Sequence, residues 1–326
     1  MKDDLVVLIT DHGEREGSRA VLAEAVRQVT GAAPVDLDAR DFTPTGPGRA
    51  RLAGERLVLE CGALRVDTPA AVIVYEIPPD TRTGLEPLQD VLAASRVPCL
   101  GTGAAAWRVA SDKEAMVKAL EVAGVAQMPS LALPPDAGHA AAEAAFRELG
   151  SDVWARPVSG MGGRDVFHVT TVTALHRAAA RYEAQGQRWL LTRDARNTNA
   201  DGLRHQYRVV VLNGRVLWVA EHVQPDHDAP CNVAQGATST PLDPRLLPEH
   251  LHRLAAAAAE AVGLPFAGVD LAAESGGVIF EVNVHPAFGA PGADRGIAVP
   301  YVRAHLPQAR HQMSGPAVSE PAVSGP

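Results

Sequence analysis

The sequence contains little cysteine, little lysine and no long hydrophobic run. Its three cysteines, Cys61, Cys99 and Cys231, lie far apart and show no CxxC spacing. This pattern excludes a disulfide scaffold and a cysteine-based zinc module, and it suits a reducing compartment. The first apolar run, residues 5–9, is shorter than the roughly 7–15 residues of a signal peptide or the about 20 of a transmembrane helix, and no other run reaches these lengths. We therefore expect a cytoplasmic protein without a membrane partner.

Lysine is so scarce that each one is of interest. Of the 30 basic residues only Lys2, Lys113 and Lys118 are lysines, and the others are arginines. The net charge of −8 argues against nucleic acid as a partner, although a local basic patch stays open. With 46% hydrophobic and 21% charged residues the composition is that of a globular protein, and 326 residues correspond to two or three domains.

The first third of the chain has the pattern of an α/β unit. Short apolar runs at 5–10, 70–75 and 97–100 predict strands, and helical patterns separate them. Strands that alternate with helices indicate a parallel sheet. The Pro- and Gly-containing segment 41–53 is interpreted as a loop, and 111–122 as a helix with Ser111 as its N-cap.

The remaining chain predicts mainly strands and hairpins. The dipeptide Asn213-Gly214 between two apolar runs is a strong two-residue hairpin signal. Residues 248–262 form an alanine-rich helical pattern. The last residues repeat a Ser/Pro/Ala/Val phrase that cannot bury enough apolar surface to fold, so 310–326 are expected to be disordered. Predicted strands cover 153–156, 166–169, 188–192, 207–212, 216–222, 268–272 and 278–284.

Two of these strands carry the most informative residues. Glu281 and Asn283 are two apart and therefore point to one face of their strand, while Asp270 lies on the preceding strand and can meet them across the pair. Two carboxylates and an amide oxygen form a hard-oxygen cluster, which suits Mg²⁺. The alternative is an exposed hairpin with incidental acids, against which the apolar neighbours argue.

A glycine-rich stretch and three cations complete the set of candidates. Gly160, Met161, Gly162 and Gly163 allow backbone N–H groups to approach phosphates, but the stretch lacks the P-loop pattern, and a plain flexible hairpin fits equally well. Two of the cations, Lys113 and Arg156, precede this stretch in the chain, and the third, Arg208, follows it.

The order of these motifs resembles the ATP-grasp superfamily, in particular its RimK-like and LysX-like amino-acid or peptide ligases. The resemblance implies an α/β fold with an N-terminal parallel-sheet domain (1–106), a central lid subdomain (107–189), a C-terminal, mainly antiparallel subdomain with the metal site (190–309), and the tail. It implies ATP and Mg²⁺ as cofactors, with two ions expected and Mn²⁺ as an alternative. It also allows a homo-oligomer such as a dimer.

The resemblance assigns roles residue by residue. Lys113, Arg156 and the glycine-rich loop 160–163 resemble the groups that contact the nucleotide phosphates. Arg208 resembles the arginine that steadies the transferred phosphoryl group. The resemblance places adenine recognition at Leu191, Thr192 and Arg193, ribose recognition at Asp194, and the metal at Asp270, Glu281 and Asn283.

Departures from the family pattern put substrate identity in doubt. Arg156 replaces the usual lysine, and guanidinium is a planar fork where ammonium is a point charge. Gln206 replaces an aspartate, and Glu221-His222 stands where an arginine is expected. Residues 232–236 are an open candidate for the acceptor pocket, and Arg295 for pairing with a substrate carboxylate.

The implied activity is ATP-dependent ligation of a small carboxylate substrate to an amine, with an amino acid or short peptide as substrate, an acyl-phosphate intermediate, and ADP and phosphate as products. Two alternatives stay open. One is a non-catalytic nucleotide-binding module, and the other is a small-molecule kinase whose product retains the phosphate.

Overall fold

A computed structural model describes residues 5–14, 17–288 and 294–306, with the side chains of residues 294 and 295 excepted. The predicted tail 310–326 and the side chain of Arg295 lie outside the described residues. No helix within the described ranges has the length and apolar character needed to cross a membrane.

The N-terminal part combines a parallel sheet with a small antiparallel one. Strand β1 lies between β2 and β6, parallel to both, and β4 lies between β3 and β5, antiparallel to both. The elements are β1 (Val6–Thr10), α1 (Ser18–Thr30), β2 (Val35–Asp38), β3 (Arg49–Ala53), β4 (Arg56–Cys61), β5 (Leu64–Asp67), β6 (Ala71–Tyr75), α2 (Pro79–Arg82) and α3 (Glu86–Ala94).

Two local predictions in this part are wrong. Residues 49–53 form β3 rather than a loop; the strand is largely solvent-exposed, so it lacks the apolar run by which strands are recognised. Residues 97–100 form no strand. They run beside β6 with a hydrogen bond from the Val72 N–H to the Pro98 carbonyl (3.0 Å), and proline has no N–H with which to continue a ladder.

The central part is a four-stranded antiparallel sheet, in the order β7-β10-β8-β9, with two helices packed on it. Two helices precede this sheet, and the second of them begins at Lys113. Its N-cap is Asp112, which accepts a hydrogen bond from the Ala115 N–H, rather than the predicted Ser111. The elements are α4 (Ala104–Ser111), α5 (Lys113–Val122), β7 (Ser130–Leu133), α6 (Gly138–Glu148), β8 (Val153–Pro157), β9 (Phe167–Val169), α7 (Val172–Ala184) and β10 (Trp189–Arg193).

The C-terminal part is a five-stranded antiparallel sheet in the order β13-β12-β11-β14-β15. Asn213 and Gly214 join β11 to β12 with φ of 49° and 75°, which confirms the predicted tight turn. The elements are β11 (Arg204–Leu212), β12 (Arg215–Gln224), β13 (Thr238–Leu242), α8 (Glu249–Val262), β14 (Phe266–Ala272), β15 (Val278–Asn283) and α9 (Val299–His305).

The two faces of the five-stranded sheet differ in character. One face contributes Val209, Val269 and Val282, all fully buried, to a core shared with α8, α5 and the N-terminal sheets. Because side chains alternate along a strand, the neighbouring Arg208, Asp270 and Glu281 point to the opposite face. A parallel α/β layer followed by two antiparallel sheets is the predicted fold class, which is confirmed.

Candidate functional site

A cavity of about 910 Å³ lies between the central and the C-terminal sheets. Its polar lining is strongly cationic, although the whole chain is acidic. Such a cavity concentrates anions, because low-dielectric walls focus the field of the charges along them. The described lining includes two carboxylates, Asp270 and Glu281, and the cations Arg82, Lys113, Arg156, Arg164, Arg193, Arg204 and Arg208.

The predicted oxygen cluster is assembled by the strand register. Asp270 on β14 pairs with Glu281 on β15, and the next same-face position on β15 is Asn283. The Asn283 Nδ2 lies 3.3 Å from the Asp270 Oδ2. Burial works to raise the pKa of Glu281, but the charges of nearby cations outweigh it and lower that pKa, so the carboxylate is ionised. Two carboxylates and an amide oxygen on one wall are a donor set that fits Mg²⁺.

Lys113 joins this cluster to the glycine-rich loop. It is the first residue of α5 and is buried, and its Nζ lies 3.1 Å from the Glu281 Oε1 and donates to the Gly160 carbonyl (3.0 Å). The backbone N–H of Lys113 also donates to the Val158 carbonyl, at the start of the loop (3.0 Å). The lysine therefore fixes the position of the loop relative to the carboxylates.

The two arginines hold different parts of the same wall. Arg208 makes a two-point ion pair with Asp270, with 2.9 Å between Nη2 and Oδ2. Arg156 donates from Nη1 to the Phe280 carbonyl (3.1 Å), and its buried Nε has no hydrogen-bond partner within the described residues. Burial lowers the pKa of Arg156. A buried guanidinium with an unused donor beside a cavity is suited to binding an anion.

The glycine-rich loop is held by the segment that follows β12. Gly162 and Gly163 have φ of 67° and 69°, in the left-handed region that favours glycine. Gln235 donates to the Gly162 carbonyl (2.9 Å), and a Cβ on Gly163 would lie 2.9 Å from the Gln235 Cγ. Asn232, from the same segment, also lines the cavity, as do Met161 and Gly160.

Of the four residues predicted to contact adenine and ribose, the structure brings two to the cavity. Thr192 and Arg193 line it. Leu191 is fully buried in the core of the central sheet, and its strand is paired on both sides. Asp194 is buried as well and forms a two-point ion pair with Arg204 (3.0 and 2.7 Å).

Asp194 belongs to a charged network beside the cavity. Burial would raise its pKa, but hydrogen bonds from His168 and Arg204 hold it well below the usual value. The same hydrogen bond, with others to Asp152 and Asp228, raises the pKa of His168 to about 9. Ligand atoms of Asp152, His168 and Asp194 lie within 4.8 Å of one another, but the Arg204 guanidinium neutralises this group, so we interpret it as an ion-pair network.

Sequence reasoning missed several residues that line the cavity, among them Trp154, Trp218, Arg82 and His285. Trp154 packs under Arg204 at 4.9 Å, and its position two residues before Arg156 on β8 would have indicated a shared face. Trp218 lies on β12 four residues before His222 and therefore on the same face of the strand. The buried Nδ1 of His222 has no hydrogen-bond partner in the described part of the chain. Arg82 and His285 come from distant parts of the chain and had no local signal.

Comparisons with known proteins agree with this architecture. The fold is that of ATP-grasp ligases: the chain superposes on the ATP-grasp ligase PsnB, solved with a minimal precursor, with a TM-score of 0.66 and 18% identity over 92% of this chain and 97% of that one. The macrocyclase MdnC from Microcystis aeruginosa MRC, bound to the precursor peptide MdnA, gives 0.64 and 13% over 91% and 98%. The D-cycloserine synthetase DcsG gives 0.61 and 20% over 90% and 98%.

A family model matches part of the chain. Residues 149–300 match the RimK-like ATP-grasp domain, a range that runs from β8 to the start of α9 and includes Arg208, Asp270, Glu281 and Asn283. The predicted resemblance to the ATP-grasp superfamily and its RimK-like members is confirmed. The comparison with curated protein sequences gives no match.

Proposed function

We propose that this protein is an ATP-dependent carboxylate–amine ligase that forms an amide bond through an acyl phosphate. The observation that carries the proposal is the convergence, in one cavity, of an oxygen-donor cluster with Lys113, Arg156 and Arg208 under a glycine-rich loop. Neither half of this arrangement would suffice alone, because a triphosphate needs cations around it and Mg²⁺ needs oxygen ligands.

The chemistry requires activation of a carboxylate. Its negative charge repels nucleophiles, and oxide is a poor leaving group. Transfer of the γ-phosphoryl group of ATP to a carboxylate oxygen gives an acyl phosphate and ADP. An amine then attacks the acyl carbon, the C–O bond to phosphate breaks, and the nitrogen loses a proton, which leaves an amide and inorganic phosphate.

The residues of this chain perform alignment and charge neutralisation. Lys113 and Arg156 bind the phosphates from the side of the central sheet, and Arg208 binds the phosphoryl group in transfer. Asp270, Glu281 and Asn283 would hold Mg²⁺, which supplies further neutralisation of phosphate charge. Thr192 and Arg193 line the adenine side of the cavity, together with the indole of Trp154.

The glycine-rich loop has a second task in the proposal. An acyl phosphate reacts with water, so the loop has to exclude solvent while it covers the phosphates. Its tie to Lys113 through the Gly160 carbonyl (3.0 Å) gives nucleotide binding a direct means of ordering the loop. No side-chain nucleophile is needed in this mechanism.

Amino acids or short peptides are the proposed substrates. PsnB has been solved with the precursor peptide PsnA2 and AMPPNP, and with a minimal precursor, Mg and ADP. These ligands support an ATP- and Mg²⁺-dependent reaction on a peptide or amino acid here, and we propose the same division into N-terminal, central and C-terminal parts that the sequence predicted.

The test is ADP release over a matrix of carboxylates and amines, with mass spectrometry of the products. We expect release that requires one member of each class and falls at least about 100-fold in Glu281→Gln, while the exposed control Glu249→Gln behaves as the wild type. Equal release without carboxylate or amine would contradict ligation. A product that retains phosphate would identify a kinase, and nucleotide binding without any turnover a binding module.

A further inference from the structure

Arg82 occupies a position at which α/β sheets bind ligands. It ends the short helix α2, which directly follows β6 of the parallel sheet. Ligands in open α/β sheets bind in the crevice outside the carboxyl ends of the strands. In this chain that crevice opens into the large cavity, because Arg82 and Pro79 line the cavity together with residues of the two antiparallel sheets.

The guanidinium of Arg82 is held in a fixed orientation by neutral groups. Its Nε donates to the Ile77 carbonyl (2.9 Å) and its Nη1 to the Ser111 Oγ (3.0 Å). The indole of Trp107 lies against it, with 5.8 Å from Cζ to the ring. These contacts leave Nη2 without a hydrogen-bond partner among the described residues. Its N–H groups are therefore available to a ligand in the cavity.

Arg82 also differs from Lys113 and Arg208 in having no carboxylate partner. Lys113 pairs with Glu281, and Arg208 pairs with Asp270. Across the described part of the chain, no carboxylate lies within 4.0 Å of the Arg82 guanidinium. Burial lowers the pKa of Arg82 to about 10, which leaves it charged at neutral pH. An oriented, partly buried cation without a carboxylate partner gains most from an anionic ligand.

Two further donors lie next to it. Ser111 accepts from Arg82 and keeps its own hydroxyl proton free to donate. His285 accepts the Ile77 N–H at Nδ1 (3.4 Å), which places the ring proton on Nε2, and its ring packs on Tyr75 and Trp107. Both Ser111 and His285 line the cavity. Three side chains from three separate parts of the chain thus provide donors and no ionised acceptor.

We propose that Arg82, Ser111 and His285 form a subsite for a carboxylate that is not consumed in the reaction. The identity of this group as part of a substrate rests on the proposed ligase function. The carboxylate belongs either to the acid substrate, which is then a dicarboxylic acid, or to the amine substrate, which is then an amino acid with a free carboxyl group. The subsite therefore selects substrates that carry an acid group besides the reacting one.

The first test measures binding directly and needs no turnover. Succinate, glutarate and adipate are titrated by calorimetry into the protein with Mg²⁺ and ADP, each against its monomethyl ester. We expect one diacid to bind about 10- to 100-fold more tightly than its half-ester, the range given by hydrogen bonds to a charged group. Arg82→Gln should abolish this difference, and Arg82→Lys should retain part of it because the charge remains.

The control variant is Arg108→Gln. Arg108 lies on α4 three residues before Ser111, but it is exposed and pairs with Glu86 outside the cavity. We expect it to bind diacids as the wild type does, and all variants to bind AMP-PNP equally. Equal binding of diacid and half-ester by the wild type, an unchanged preference in Arg82→Gln, or weaker AMP-PNP binding in Arg82→Gln would each overturn the proposal.

The second test locates the carboxylate on one substrate. ADP release is compared for aspartate with asparagine as the acid, and for glycine with glycinamide as the amine. A rise in KM of about tenfold or more on removing the acid group from one member, lost in Arg82→Gln, identifies that member. If the wild type shows no substrate-dependent ADP release, the ligase function fails, while the binding test still decides whether the subsite exists.

Discussion

The ion pair between Asp194 and Arg204 leads to a prediction that separates stability from nucleotide binding. The two side chains are 4% and 6% exposed and share two hydrogen bonds. Asp194→Asn removes the negative charge and leaves the guanidinium buried without a counter-charge. Removing one partner of a buried pair typically costs about 3–5 kcal/mol. With an unfolding entropy of roughly 2 cal/mol/K per residue, the melting temperature should fall by about 4–7 °C.

A matched pair on the surface provides the control. Asp243 and Arg245 make the same kind of two-point contact, but their side chains are 40% and 89% exposed. Asp243→Asn should leave the melting temperature unchanged within error, because solvent screens an exposed pair. Thermal unfolding followed by circular dichroism and differential scanning fluorimetry measures both variants under the same conditions.

Nucleotide affinity decides between the two roles of Asp194. If its role is the ion pair, Asp194→Asn should bind ADP with wild-type affinity at a temperature where it is folded. A loss of ADP affinity of tenfold or more without a fall in melting temperature would refute this reasoning. Such a result would support the contact between Asp194 and the ribose that the family resemblance implies.

Three further predictions concern the same region. The pKa of His168 is raised to about 9, so its ion pairs stabilise the fold fully below the unfolded pKa of about 6.5. This stabilisation is lost as the pH rises through 9. The melting temperature, measured from about pH 6 to 10, should therefore decline in the wild type by an amount that His168→Gln lacks. Gly163→Ala should slow turnover more than Gly162→Ala, since both introduce about 1 kcal/mol or more of left-handed strain but only the first meets Gln235; equal rates would contradict this. Leu191→Ala should destabilise by about 2–5 kcal/mol in denaturant unfolding with ADP affinity unchanged, whereas weaker binding would place Leu191 at the nucleotide.

Alternation along strands was the most useful sequence signal. It placed Glu281 and Asn283 on one face and Val282 on the other, and the structure has this arrangement. The Asn213-Gly214 turn was equally readable, because its φ values require those residue types. Such features depend on neighbours in the chain, and local rules are sufficient for them.

Features that depend on distant parts of the chain were out of reach. Nothing near Arg82 in the sequence indicates that it meets Ser111, 29 residues later, or that Arg82 and His285 both pack on the indole of Trp107. Asp194 was assigned from its place after a predicted hinge, but its partner Arg204 lies at the start of the next strand, and burial of both decides the contact. Long-range pairing depends on how the layers pack, which no local pattern encodes.

The internal ion pairs of the cavity have a consequence for the order in which ligands bind. Lys113 neutralises Glu281, and Arg208 neutralises Asp270. A cation that binds the carboxylates alone would leave two basic side chains unsatisfied, and a polyphosphate that binds the basic side chains alone would leave two acids unsatisfied. Only joint binding satisfies both sets, so under the proposed function the affinities for metal and nucleotide rise together, each enhancing the other by the same factor.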